Sequence, residues 1–294
     1  MQQQDLDFSI FKKMIDTVQD LQHIELQGEG EPLLHPQFFE MVDYIHTRFP
    51  TAEISFITNG SLFTTENISR ILNSHIHTIL ISVESPDEDE FQQIRGGKFS
   101  RVKRGIKELV EQKNIRGNAL KIGLAVTVLK QTLTHINKLG ELYTELKLDG
   151  GINIQPLQGM DSYIRFYSDN MKQSLLNADD RANLNSLIAT DRNVKTALRT
   201  YQTQKSFYAG LLASMPAHAN TCPWLENGLY LSANGIATSC CYVKDVHKNG
   251  YGPITEDMDK ILESRAQLAR RLALKDIPPQ CKGCGIAINL MRRP

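Results

Sequence analysis

The sequence predicts an α/β protein in two parts, a partial (β/α) barrel of parallel strands followed by a small C-terminal cysteine-rich domain of a β-hairpin and helices. Two observations predict this. Short β-prone runs alternate with helical patterns through the first 157 residues, as in βαβ units around a parallel sheet. All five cysteines lie in the last 73 of 294 residues. We expect a partial barrel at 1–158, a helical connector with substrate contacts at 159–213 and a cysteine domain at 214–294.

The elements of the first part follow from hydrophobic periodicity. Apolar residues at three- and four-residue steps from Ile10 to Leu21 predict a helix that ends just before His23. Five strands fall short of the eight in a closed barrel, so an open, partial barrel is expected. The predicted strands are 23–26, 53–58, 78–83, 121–128 and 152–157, and the predicted helices between them are 38–49, 66–74, 102–114 and 136–146.

Composition narrows the class of protein. Hydrophobic residues make up 41% of the chain, enough for a sizeable core, and 33 basic residues balance 33 acidic ones. That balance provides no global field to attract nucleic acid or an anionic membrane. No membrane-spanning run and no secretion signal are present, so we expect a cytoplasmic protein. In a reducing cytoplasm, clustered cysteines are better ligand candidates than disulfide candidates.

Polar, turn-forming segments follow four predicted strands. They are Gly28–Pro32, Thr58-Asn59-Gly60, Ser82-Val83-Glu84-Ser85 and Gln155-Pro156. Ligands collect at the carboxyl ends of parallel strands, so these segments are candidate binding residues. Ordinary turn chemistry explains each of them equally well when taken singly.

The segment after the first strand carries negative charge. A Gly-x-Gly-x-x-Gly nucleotide loop would need a third glycine where this chain has Leu33. Glu29 and Glu31 flank Gly30 and would repel a pyrophosphate, by roughly 1 to 4 kcal/mol for like charges at about 4 Å. The loop therefore suits a cation such as an ammonium group.

Four cysteines have the spacing of a metal or iron–sulfur site. Cys222 and Cys240 flank Gly235, and Cys281-Lys282-Gly283-Cys284 forms a Cys-x-x-Cys pair. The residues around Asn234-Gly235 predict a β-hairpin that carries one ligand. Four thiolates suit Zn²⁺ as well as an iron–sulfur cluster, and spacing alone leaves both open.

Several of these motifs resemble the radical S-adenosylmethionine (SAM) enzymes. Gly28 to Pro36 is similar to the loop that binds the amino group of the methionyl moiety in that family. Ile81-Ser82-Val83-Glu84 with Ile94-Arg95-Gly96-Gly97 resembles its fourth-strand segment. The resemblance implies that Ser82 and Arg95 hold the ribose and the carboxylate. The cofactor-binding residues expected in full are Gly28, Glu29, Gly30, Glu31, Asn59, Ser82, Glu84, Arg95 and Gln155.

The tail resembles the auxiliary-cluster domain called SPASM, or its shorter relative, the twitch domain. The resemblance implies one auxiliary [4Fe–4S] cluster, with Cys222, Cys240, Cys281 and Cys284 as ligands. Cys241 would face away from Cys240 if the hairpin strand continued, and is interpreted as a buried free thiol or as an alternative to Cys240.

The family's Cys-x3-Cys-x2-Cys loop does not occur in this sequence. In the family, that loop follows the first barrel strand and ligates the cluster that cleaves SAM. The resemblance therefore implies a barrel missing its first strand. Two explanations stay open: the sequence is truncated, which we favour, or the chain naturally lacks the reductive centre. A second [4Fe–4S] cluster is expected only if an upstream segment exists.

The resemblance implies radical-based modification of a peptide, a protein or a small metabolite, with a flavodoxin or ferredoxin as electron donor. The connector aromatics are candidates to line a substrate groove, although a plain helical connector explains them too: Tyr163, Phe166, Tyr167, Tyr201, Phe207 and Tyr208. One alternative is a non-catalytic iron–sulfur or zinc protein in binding or electron transfer. The catalytic residues are not identified from the sequence.

Overall fold

A computed structural model describes residues 4–204, 222–243 and 245–291 of the chain. Its contacts divide into two units, neither of them continuous in sequence. The sheet unit comprises residues 20–157 and 174–205. The cysteine unit comprises residues 1–19, 158–173 and 206–294. The sequence-based division of the chain after residues 158 and 213 describes consecutive stretches of sequence, and it stays a prediction.

The sheet unit contains five parallel strands in sequential order, which form a half-barrel. This arrangement confirms the predicted partial (β/α) barrel. Each strand begins where the sequence predicts, and two end one residue earlier. The strands are β1 (His23–Leu26), β2 (Glu53–Thr58), β3 (Thr78–Ser82), β4 (Lys121–Val128) and β5 (Ile152–Pro156).

Side chains alternate between two faces of this sheet, because successive residues of a strand point to opposite sides. One face, here called the outer face, is apolar and buried, and Phe56 on it packs edge-on against Phe38 of the second helix with ring centroids 5.0 Å apart. The other, the inner face, carries Ser82 and Gln155 near its carboxyl edge, and Glu84 follows two residues after Ser82.

Helices connect the strands and complete the sheet unit. Helix α4, which was not predicted, begins with Asp87 as a side-chain cap and ends at Gly96, whose φ of 75° favours glycine. The helices of this unit are α2 (Phe38–Arg48), α3 (Thr65–Asn73), α4 (Glu88–Arg95), α5 (Phe99–Arg116), α6 (Ile136–Glu145), α9 (Ala178–Thr190) and α10 (Arg192–Gln204).

The cysteine unit contains a small antiparallel sheet with the order β6-β7-β8. The predicted hairpin is present, turned at Gly235 with a φ of 72°, and β8 adds a strand that was not predicted. The strands are β6 (Tyr230–Leu231), β7 (Ile236–Thr238) and β8 (Gly252–Pro253). The helices are α1 (Phe8–Thr17), α7 (Asp161–Ile164), α8 (Asp169–Gln173), α11 (Pro223–Asn227), α12 (Val246–Asn249), α13 (Met258–Ala273) and α14 (Gly285–Met291).

Two expectations about these elements are wrong. Helix α1 ends at Thr17 rather than near Leu21, because Val18 adopts an extended conformation with ψ of 128°. Strand β7 ends at Thr238, so Cys240 and Cys241 lie in a turn and strand alternation does not decide where they point. In the described part of the chain, no helix is long and apolar enough to cross a membrane.

Candidate functional site

The carboxyl edge of the sheet unit is held together by Glu31. Its carboxylate accepts hydrogen bonds of 2.7 Å from the Thr58 hydroxyl and 2.7 Å from the Asn59 backbone N–H. The Leu33 N–H also donates to it at 3.3 Å. Hydrogen bonds to a charged acceptor contribute about 1.5–3 kcal/mol each. The loop after β1 is thereby fastened to the end of β2.

The remainder of that loop is open to solvent. Gly28, Glu29 and Gly30 are exposed, and a side chain added at Gly30 would meet no atom within 4 Å. A ligand can therefore contact the backbone of this loop and the exposed carboxylate of Glu29, next to the point where Glu31 fastens the loop to β2. This arrangement suits a cationic group that approaches the end of the sheet.

Asn59 has a structural role at the end of β2. Its side-chain oxygen accepts a hydrogen bond of 2.8 Å from the Ser61 N–H, and Gly60 has a φ of 72°. A side chain at Gly60 would meet Val102 at 2.9 Å, so only glycine fits this turn. The Asn59 backbone N–H, rather than its amide, is what contacts Glu31.

Glu84 and Arg95 form an ion pair beside the end of β3. Arg95 Nε donates to Glu84 Oε2 at 2.6 Å, and Nη2 donates to Glu84 Oε1. Glu84 is 3% exposed, whereas the Arg95 side chain is 32% exposed. A guanidinium has five N–H donors, so Arg95 keeps donors for a second anion. The pair fixes the orientation of Arg95 and leaves some of its N–H groups available to bind another anion.

Ser82 and Gln155 lie on the inner face near this pair. Ser82 is 9% exposed, and Gln155 is half-buried. Residue pairing places Ser82, Ala125 and Asn153 in one row, with Gln155 two residues further along β5, and Glu84 lies two residues beyond the end of β3. The structure thus brings Ser82, Glu84, Arg95 and Gln155 to one edge of one unit.

The four predicted cysteine ligands lie in the cysteine unit. Cys222 caps α11, and Cys240 follows β7; Cys281 ends a short 3-10 helix, and Cys284 precedes α14. Electrostatic interactions connect Cys222 and Cys281 with both Cys240 and Cys284. Gly283 has a φ of 77°, and a side chain there would meet Met160 Cα at 3.0 Å. The Cys-x-x-Cys turn therefore needs its glycine.

The thiols lie in an apolar environment. Burial raises the pKa of Cys222 to about 12, that of Cys240 to about 11 and that of Cys281 to about 12. Backbone N–H groups of Trp224 and Leu225 hydrogen-bond to Cys222 and oppose the shift. Among the described residues, no three His, Cys, Asp or Glu side chains are placed closely enough to hold a single metal ion.

The described connector aromatics are divided between the two units. Tyr163 contacts Tyr167 and Tyr242 in the cysteine unit, with centroid distances of 6.2 and 5.9 Å. Tyr201 is 4% exposed in the sheet unit, where its backbone lies against Gly151. Tyr201 is therefore a core residue and not a groove residue. Phe207 and Tyr208 lie outside the described residues.

Comparison with known proteins identifies relatives of the first half of the chain. Residues 4–141 match the Radical SAM superfamily. The chain is 28% identical over 160 residues to the tungsten-containing aldehyde ferredoxin oxidoreductase cofactor-modifying protein of Pyrococcus furiosus, covering 52% of this chain and 44% of that protein. It is 32% identical over 104 residues to the GTP 3′,8-cyclase of Desulforamulus reducens, covering 34% and 31%. The matched stretches thus span less than half of these relatives.

Solved structures share the fold. The structure of anSMEcpe with bound AdoMet superposes with a TM-score of 0.67 at 16% identity, covering 91% of this chain and 75% of that chain. SuiB of Streptococcus suis bound to S-adenosylmethionine gives 0.59 at 14% identity, covering 85% and 56%. With the half-barrel and the sequence match, these findings establish that the chain carries a domain of the radical SAM superfamily over residues 4–141.

Proposed function

We propose that the sheet unit binds S-adenosylmethionine at its carboxyl edge and that the cysteine unit holds one auxiliary [4Fe–4S] cluster. The observation that carries the first part is the Glu31 carboxylate, which joins the ends of β1 and β2 with bonds of 2.7 Å. These bonds fix the exposed loop at the carboxyl end of the strands, where parallel sheets bind their ligands. Membership of the superfamily supports the same assignment.

Each group at this edge has a role that suits one part of the cofactor. The exposed loop from Gly28 to Gly30 faces the methionyl ammonium, because its backbone and Glu29 favour positive charge. Arg95, oriented by Glu84, donates to the methionyl carboxylate. Ser82 and Gln155 contact the ribose end of the cofactor from the inner face.

We assign the cysteine unit to an iron–sulfur cluster because residues 4–141 match a superfamily that uses such clusters. Its donor set of four thiols suits a [4Fe–4S] cluster and a tetrahedral Zn²⁺ alike. The iron content measured after reconstitution decides between the two.

The whole protein's reaction is, in this proposal, radical-based modification of a peptide, a protein or a small metabolite. The catalytic [4Fe–4S] cluster of the family, when an upstream segment supplies it, provides the electron that cleaves SAM. The residues of this chain bind SAM and hold its methionyl and ribose groups in place. The structure of SuiB bound to the precursor peptide SuiA supports a peptide substrate. A flavodoxin or ferredoxin is the proposed donor.

The second candidate is a non-catalytic iron–sulfur or zinc protein in binding or electron transfer. The four spaced cysteines favour this candidate, because four thiolates suit Zn²⁺ or an electron-transfer cluster as well as an auxiliary cluster. A protein with this function would use the cysteine unit and the cofactor pocket but would not generate radicals.

Anaerobic reconstitution and SAM titration test the proposal. The 294-residue chain should bind about four irons, and SAM should bind without being cleaved under reducing conditions. A version extended upstream with a three-cysteine loop should release 5′-deoxyadenosine. A colourless protein with one zinc would contradict the cluster assignment, and no SAM binding would contradict the pocket assignment.

A further inference from the structure

Asn153 occupies the same row of the inner face as Ser82. Ser82 pairs with Ala125 of β4, and Ala125 pairs with Asn153 of β5. Residues paired in adjacent parallel strands point to the same side of a sheet. Two polar side chains thus flank the small side chain of Ala125. The row forms a shallow notch with a hydrogen-bonding group at each end.

The Asn153 amide is buried without a partner. Its Oδ1 has no hydrogen bond to any described residue, and the residue is 9% exposed. An unsatisfied buried amide oxygen costs about 1–3 kcal/mol. Asparagine is also disfavoured in strands, and its neighbours Ile152 and Ile154 are apolar. Among the described residues, no hydrogen bond of the Asn153 Oδ1 explains an asparagine at this position.

The inner face is closed below this row. A side chain at Gly123 would meet the Gly151 carbonyl oxygen at 2.3 Å, because the backbone of Gly150 and Gly151 lies directly against it. Gly123 is the next inner-face residue of β4 below Ala125. A hydrogen-bond donor therefore reaches Asn153 from the carboxyl edge, where Glu84 and Gln155 lie.

We propose that Asn153 is a further ligand-binding residue of this pocket and that its Oδ1 accepts a hydrogen bond from a ribose hydroxyl of the bound nucleoside. This inference rests on the proposed SAM binding. An amide oxygen only accepts, so its partner must be an N–H or O–H donor and cannot be the methionyl carboxylate. A vicinal diol offers two adjacent donors, one to Asn153 and one to Ser82.

The span between the two strands fits such a group. Adjacent strands lie about 4.8 Å apart, so β3 and β5 are separated by about 9.6 Å. The Ser82 and Asn153 side chains each extend into that gap from opposite ends. Two hydrogen bonds of about 2.8 Å to a single donor atom span at most about 5.6 Å. Two neighbouring ribose hydroxyls add the distance between their own oxygens and therefore fit the separation of the strands better.

Calorimetric titration of the full chain with S-adenosylhomocysteine, and with its 2′-deoxy and 3′-deoxy analogues, tests the inference. Asn153→Leu should weaken binding of the parent ligand by about tenfold. The variant should no longer distinguish the parent from one deoxy analogue. Its thermal midpoint should stay equal or rise, because an unsatisfied polar group has been removed.

Asn118→Leu is the matched control. Asn118 is a satisfied asparagine of the same unit, which donates to the Leu72 carbonyl at 2.8 Å and accepts from the Leu120 N–H at 2.8 Å. This variant should lower the thermal midpoint and leave the affinity unchanged. Asn153→Leu with a lowered midpoint and wild-type affinity would overturn the inference. A wild-type chain that binds none of the ligands would refute the proposed SAM site as well.

Discussion

The two candidate sites of this chain are built in opposite ways. At the carboxyl edge of the sheet unit, charged groups satisfy one another: Glu31 accepts from Thr58 and Asn59, and Arg95 pairs with Glu84. In the cysteine unit, by contrast, burial is the largest influence on the thiols and raises the pKa of Cys222 to about 12, and Arg271 only partly offsets the same effect at Cys281. The first site is organised by its own side chains.

The difference shows what each site needs from its ligand. A pocket whose charges are already paired can exist before the cofactor arrives and can bind it with little rearrangement. A set of buried thiols gains most of its stability from the group that it ligates, because metal binding and folding are coupled. We therefore expect ligand removal to affect the cysteine unit much more than the sheet unit.

The largest expected effect comes from Cys281→Ala. Iron should fall below about four atoms per chain, to about three or fewer, because the cluster loses one of its four thiolate ligands. The thermal transition of the cysteine unit should also move to a lower temperature. Iron analysis and calorimetry measure the two results. Cys241→Ala is the control and should keep its iron; loss of iron there instead would reassign the ligand from Cys240 to Cys241.

Arg95→Ala should give the next largest effect, now in the sheet unit. Glu84 is 3% exposed, and removal of its partner leaves a buried carboxylate uncompensated, at a cost of about 3 kcal/mol. Urea unfolding measures the change. Lys103→Ala breaks the exposed pair with Glu145 at 2.8 Å and should cost less than about 1 kcal/mol. Equal costs for the two variants would show that the Glu84 pair is not specially protected.

Glu31→Gln should reduce the stability of the sheet unit less than Arg95→Ala does. It should also weaken SAM binding. The neutral amide replaces two charge-assisted hydrogen bonds with at most one neutral acceptor, which should cost about 1.5–3 kcal/mol. SAM affinity should fall by about tenfold as the loop loosens. Glu40→Gln changes an exposed glutamate of α2 and should leave both quantities unchanged. Unaltered SAM binding in Glu31→Gln would remove the main support for the pocket.

The smallest expected effect is the pH response of Asp149, at the amino end of the sheet. Burial favours a higher pKa, but hydrogen bonds from Lys113 Nζ at 2.6 Å and the Ile122 N–H at 3.1 Å outweigh it and lower the pKa. A lowered pKa contributes stability above the unfolded value of about 3.9, which is lost as the pH falls through the folded pKa.

Asp149→Asn should therefore reduce the loss of sheet-unit stability in acid below about pH 4, by well under about 1 kcal/mol, since Asp149 is 35% exposed. Acid titration followed by circular dichroism measures it. Asp43→Asn is an exposed control in α2 and should not change the acid transition. An unchanged transition in Asp149→Asn would show that this pairing contributes nothing to acid stability.

Local sequence pattern predicted most of the fold. The apolar runs after His23, Glu53 and Lys121 gave strands with the predicted first residues, because β-branched runs between turn residues have few alternative structures. Helix α4 was missed because its sequence, Glu88–Arg95, is charged and has only Phe91 as a buried apolar residue. The role of Tyr201 was left open between a substrate groove and a helical connector, because aromatic residues suit a groove and a core equally well.

The sequence by itself determined the alternation of strands and helices, the polar ends of the strands and the spacing of the four cysteines. Those features depend on local periodicity and covalent spacing, which a single chain displays directly. Only the tertiary structure decided that Glu31 accepts from Asn59, that Glu84 holds Arg95 and that Asn153 shares a row with Ser82. These contacts depend on register between distant strands, which no local pattern encodes.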